Sequence, residues 1–147
     1  MTQPYYEFES PDSLVYYFES TGTNRIIPKV VVYTPVAEGA DIYYLGFGDI
    51  QEDGSVDDKA ISNNHDIEKI MATVIQTILH FLETYPQKSV FFEGSTAART
   101  RLYQIIISRE YQSINKRFSI QGLTESGFEE YQKNKNYDGF LIKLLLL

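Results

Sequence analysis

An α+β fold with a mainly antiparallel sheet is predicted for this chain, and three observations carry the prediction. The first third holds four short segments rich in aromatic and β-branched residues, separated by turn-like connectors. A long apolar stripe at helical spacing follows. A second helix-like run is then enclosed by further strand-like segments. The expected order is ββββ-α-β-α-ββ, with two principal helices. At 147 residues the chain is the size of one domain with a real core, and no linker divides it. Residues 1–147 are therefore expected to form a single α+β domain.

The segments YYEFES and LVYYFES flank Pro11-Asp12-Ser13, a turn-like connector. PKVVVYTP is β-branched and bounded by Pro28 and Pro35, which suits a strand with fixed ends. DIYYLGFGDI follows the Glu38-Gly39-Ala40 turn. Short strands with short connectors predict an antiparallel meander. QEDGSVDDKAISNNHD reads as a polar, acidic loop. Ile67, Ile70, Met71, Val74, Ile78, Leu82 and Tyr85 then share one helical stripe. Ile70, Met71, Val74 and Ile78 should pack that helix against the sheet. Asn63 or Asn64 suits its N-cap, Asp66 and Glu68 suit its positive end, and Pro86 ends it.

KSVFFEG reads as a short buried strand. The second helix, roughly Thr96 to Ile114, turns Ala98, Leu102, Ile105 and Ile106 to one side, with Arg109 on that same side. Its consecutive isoleucines are weak helix formers, so packing must help to hold it. KRFSIQGL and YDGFLIKLLLL form two more strands around the polar TESGFEEYQKNKN.

Composition excludes several function classes. There is no cysteine, so disulfides, thiolate zinc sites and a cysteine nucleophile are all ruled out. A net charge of −7 argues against a broadly basic nucleic-acid surface. The charge is uneven, however. Acids dominate from Asp49 to Lys69, whereas Lys88, Arg99, Arg101, Arg109, Lys116 and Arg117 outweigh Glu93 and Glu110 further on. MTQPYYEFES lacks the basic-then-apolar pattern of a signal peptide, and no apolar run approaches the ~20 residues of a membrane helix. A cytoplasmic protein with no membrane partner is expected.

Most of the chemistry-bearing residues have plain explanations. Aligning Asp49 with the first position of a calcium loop also aligns Asp53, Gly54 and Asp57, but Ala60 stands where the bidentate glutamate belongs. His65 and His80 lack zinc spacing, and no Gly-x-Ser-x-Gly elbow occurs. No cofactor fingerprint is present, and none is expected. An enzyme would need Arg99 or Arg101 on a phosphorylated substrate, with His65 or Asp57 moving the proton. Nothing in the spacing demands that, so a binding module is the preferred expectation.

The strongest functional signal is VFFEGSTAARTRLYQ. Arg99 and Arg101 lie in the first turns of a helix, at the positive end of its dipole, where cations cost stability. Gly94 is free to adopt torsions closed to other residues, and Ser95 or Thr96 can N-cap the helix. Free N–H groups in such a turn favour an anion, and guanidinium groups match phosphate or carboxylate oxygens in pairs. The two arginines are about 200° apart around an ideal helix, so both serve one anion only by leaning over its end. The alternative is structural: ion pairs with Glu93, or with Asp57 and Asp58. A second mixture, Tyr131, Lys133, Lys135 and Tyr137, interleaves cations with aromatics as base-stacking surfaces do, although it also suits a plain turn. The ligand-binding candidates are therefore Gly94, Ser95, Thr96, Arg99, Arg101, Lys133, Lys135 and Tyr137. The expected ligand is phosphate-bearing, a single-stranded nucleic acid or a nucleotide.

The C-terminal FLIKLLLL suggests a different role. Strand alternation leaves apolar side chains on both its faces, so both need cover, from the chain's own helices or from a second subunit, in a small bacterial two-component module or a homodimer.

The combination of PKVVVYTP, FGD, SNNHDIEKIMATV, FFEGSTAARTRLYQ and KNKNYDGFLI resembles a family of short uncharacterised proteins found mainly in Bacteroidota. That resemblance implies a bacterial cytosolic protein and brings no activity, ligand or catalytic residue. Four antiparallel strands followed by a long helix also resemble the repeating unit of the single-stranded nucleic-acid-binding group that includes the Whirly proteins. The resemblance implies binding through a curved aromatic and basic sheet, and dimerisation, although the first sheet here is tyrosine-rich but poor in Lys and Arg.

Overall fold

The computed structural model describes residues 3–23, 25–58 and 64–146. The elements are β1 (Val15–Ser20), β2 (Ile27–Pro35), β3 (Ile42–Ile50), β4 (Val56–Asp57), α1 (Ile67–Thr84), β5 (Ser89–Phe92), α2 (Ala97–Ile114), β6 (Phe118–Thr124), β7 (Gly127–Glu130) and β8 (Phe140–Leu144). Among the described residues all eight strands join one sheet in the order β1-β2-β3-β5-β8-β6-β7, with β4 beside β3. The α+β class and the mainly antiparallel sheet are as the sequence predicts. Only β3 and β5 pair in parallel among the described strands. α1 supplies the long crossover that a parallel pair requires.

Both helices lie on one face of the sheet. Ile70, Met71, Val74 and Ile78 of α1 are buried, as expected, and join Tyr16, Val31, Tyr33, Val90 and Phe92 of the sheet in one core with Tyr103 and Ile106 of α2. Phe81 stacks on Tyr33 with ring centroids 4.4 Å apart. Two buried threonines of α1 are also satisfied: Thr73 Oγ1 accepts from the Tyr6 amide, and Thr77 shares a hydrogen bond with the Tyr33 hydroxyl.

The structure corrects several elements. YYEFES is not a regular strand: a single bridge joins Glu9 to Tyr17, and the Tyr6 amide is taken by α1 instead of a neighbouring strand. The fourth strand before α1 is instead the two-residue β4, inside the segment read as a loop. The tetrad that resembled the Whirly unit is therefore three long strands and a short one. After α2 there are three strands, because β7 forms within the polar connector. Asp66 occupies the N-cap of α1. Asn64 is buried there, and its side chain donates to the Ser20 hydroxyl and the Arg25 carbonyl. Asn63 lies outside the described residues.

The buried face of α2 also differs. Thr100, Tyr103, Gln104, Ile106, Ile107, Glu110 and Ile114 face inward, whereas Ala98 and Ile105 are exposed. Three isoleucines in a row leave the helix face ambiguous by hydropathy. Polar side chains with partners decide it: Gln104 donates to the Lys135 carbonyl at 2.5 Å, and Glu110 accepts from the Gln3 amide at 2.6 Å. Arg109 is exposed and paired with Glu68 at 2.8 Å. No helix among the described residues is long and apolar enough to cross a membrane.

Candidate functional site

The β5–α2 turn is built on close approach. Thr96 is the N-cap of α2, in extended conformation, and its hydroxyl accepts from the Arg99 amide at 3.2 Å. The Gly94 amide donates to Thr100 Oγ1 at 3.0 Å, and the Thr100 hydroxyl donates onward to the Thr96 carbonyl at 3.2 Å. Any side chain on Gly94 would run into the Thr100 amide and the Arg99 backbone. Left-handed torsions occur at Gly39, Gly54 and Gly127 instead. The glycine is therefore required for contact with the helix, not for the backbone freedom that the sequence suggested.

A pocket of about 420 Å³ opens beside this turn. β3 pairs with β5 only over Ile42–Tyr44 and with β4 only over Asp49–Ile50. The stretch between those ladders, Leu45 to Phe47, lines the pocket. Gly46 leaves it open, since the nearest atom to a side chain placed there is the Val32 carbonyl oxygen at 3.9 Å. Val30, Val32 and Met71 supply apolar wall, and Glu93, Ser95, Arg99, Asp58 and Tyr103 supply polar groups. Tyr103 is 2% exposed, and its hydroxyl makes no hydrogen bond to any described residue. Burial pushes its pKa well up, with the charge of Arg99 opposing the shift. Tyr44 is raised as well, by burial first and then by Glu93, to which its hydroxyl donates at 3.3 Å.

The predicted residues separate into two groups. Gly94, Ser95, Thr96 and Arg99 stand together at the pocket, where Arg99 Nη1 donates to the Asp58 carbonyl at 3.1 Å and reaches Ser95 Oγ at 3.4 Å. Arg101 points elsewhere, donating to the Tyr137 carbonyl at 3.3 Å. Lys135 shares that second group and bonds both oxygens of Glu129, at 2.8 and 2.9 Å. This pairing, helped by the Tyr137 hydroxyl, holds the Glu129 carboxyl below the usual range. Tyr137 itself is buried, so its ring presents no face to solvent. Lys133 is exposed in the same loop. Arg117 pairs with Glu83 at 2.5 Å, beyond the far end of α2.

Neither histidine lines the pocket. His80 Nδ1 shares a 2.6 Å hydrogen bond with Tyr16, and His65 is exposed just before α1. Asp49 is paired with Lys29. Among the described residues no three His, Asp or Glu side chains lie close enough to hold a metal.

Tyr103 and Gly46 are among the pocket residues that sequence reasoning missed. The alternating glycines of LGFG were the available signal, because Gly46 and Gly48 leave the same face of one strand bare. Tyr103 gave no signal, since an aromatic residue on a helix reads as ordinary core.

No curated protein and no solved structure matches the chain. The model of a family of unknown function, DUF6934, matches residues 2–145, and the chain belongs to that family.

Proposed function

We propose that this chain is a binding module whose pocket beside the β5–α2 turn takes a small phosphate-bearing ligand of nucleotide size. The observation that carries this reading is that Tyr103, a residue 2% exposed whose hydroxyl has no protein partner among the described residues, lines a pocket with Arg99 and Ser95 on its wall. A volume of about 420 Å³ falls within the range of small-molecule sites. The apolar wall suits a planar base. Arg99 and the Ser95 hydroxyl suit a phosphate. Glu93 and Tyr103 suit the N–H and O–H groups of base or ribose, so a nucleotide engages acidic and basic residues alike. A long single strand is favoured less, because Lys135 and Arg101 are directed elsewhere and Tyr137 is buried.

Calorimetric titration with nucleoside mono- and triphosphates and with inorganic phosphate tests the reading. Binding should weaken as salt rises. Arg99→Ala should abolish it and Arg101→Ala should retain it. Gly46→Val, whose Cβ meets only the Val32 carbonyl oxygen at 3.9 Å, should remove binding while the protein stays folded. Nucleotide binding that survives Gly46→Val, or no binding by the parent, would sink the reading.

A further inference from the structure

The sheet face opposite the helices is apolar across its centre. The strand registers align Ile42 and Tyr44 of β3, Phe91 of β5, Leu141 of β8, and Leu123 and Phe128 of β6 and β7 on that face. Tyr44, Phe91 and Phe128 form a continuous aromatic row, with successive ring centroids 5.9 and 6.0 Å apart. Phe128 is 47% exposed, Tyr44 40% and Ile42 39%. An antiparallel sheet facing water normally alternates apolar inward with polar outward, and contiguous apolar patches of this kind mark contact surfaces.

Charge on the same face identifies the occupant. Lys143 and Glu130 both project there, since Lys143 registers with Ser89 and Ser119, and Glu130 with Gln121. Both are exposed, and neither forms an ion pair among the described residues. They are separated by β6, so they stand apart on one surface. A two-fold axis lying between two such faces, midway between these positions, sets Lys143 of each copy over Glu130 of the other. One apolar patch then meets itself, as an isologous interface requires. Nucleic acid is the poorer occupant despite the aromatic row. Lys143 is the single cation at the strand positions of this face, against Glu19 and Glu130, with Glu93 next to the row.

We infer that the chain forms a face-to-face homodimer through this open sheet surface, with Phe91 and Phe128 at its centre and reciprocal Lys143–Glu130 pairs across it. The dimer face borders the nucleotide pocket at Glu93, which accepts from Tyr44, but Phe91, Phe128, Lys143 and Glu130 do not line that pocket. Sedimentation or light scattering of the full chain at high micromolar concentration should report a dimer. Lys143→Glu and Glu130→Lys should each weaken dimerisation by roughly tenfold or more, because each sets like charges opposite one another. The double charge swap should restore it. Thermal melts of all three variants should show an intact fold, as expected for exposed substitutions. A strictly monomeric parent, or a double swap as weak as the single ones, would overturn the inference. So would capture of a labelled single-stranded oligonucleotide that is lost in Phe128→Ala, which would assign the aromatic row to bases instead.

Discussion

The Tyr137 ring packs against Gly122, so closely that any side chain at position 122 would overlap the ring atoms. This contact seats the loop between β7 and β8 against the sheet. The Tyr137 hydroxyl donates to Glu129 at 2.9 Å and accepts from the Gln132 amide at 3.0 Å. Gly122→Ala should cost about 1–3 kcal/mol through overpacking. Tyr137→Phe should cost about 1–2 kcal/mol by leaving the Gln132 amide without its partner. Urea unfolding of both variants checks the ranking.

Val74 is fully enclosed between α1 and the sheet. Val74→Asp should destabilise by more than about 4 kcal/mol, because it buries a carboxylate with no countercharge. A variant with the parent's denaturation midpoint would show that the core has been misplaced.

The start of α2 is held by Thr96 and Gly94. Thr96→Ala removes the acceptor for the Arg99 amide and should cost about 1 kcal/mol. Gly94→Ala should cost more, about 1–3 kcal/mol, because the obstacle is helix backbone and cannot rotate away. Circular dichroism melts distinguish the two.

Alkaline pH should loosen the fold. Burial raises the Tyr16 hydroxyl from 10.0 to about 12, and burial also raises Tyr33 and Tyr103. The folded state therefore holds these protons after the unfolded chain has released its own. The Tyr16 contribution is complete below the unfolded value of 10.0 and is lost as pH rises through about 12. The unfolding midpoint should fall across that interval, and Tyr16→Phe should flatten the fall. A midpoint that stays level would contradict the burial of these rings.

Much of this architecture was determined by the sequence alone. α1 was legible down to Ile70, Met71, Val74 and Ile78, because a long amphipathic stripe has only one face to bury. The β-branched run of β2 and the aromatic run of β3 were equally clear, since such residues favour half-buried sheet surfaces wherever their partners lie. The face of α2 was not legible. It is set by Gln104 and Glu110 bonding to the Lys135 carbonyl and the Gln3 amide, residues far away in sequence. Nor could spacing show that Arg99 turns to the Asp58 carbonyl while Arg101 turns to the Tyr137 carbonyl. Local propensity fixes where a helix runs and which turn begins it. Where each side chain points is decided by long-range packing, and so the division of the arginines, the burial of Tyr137 and the pocket over Gly46 belong to the tertiary structure.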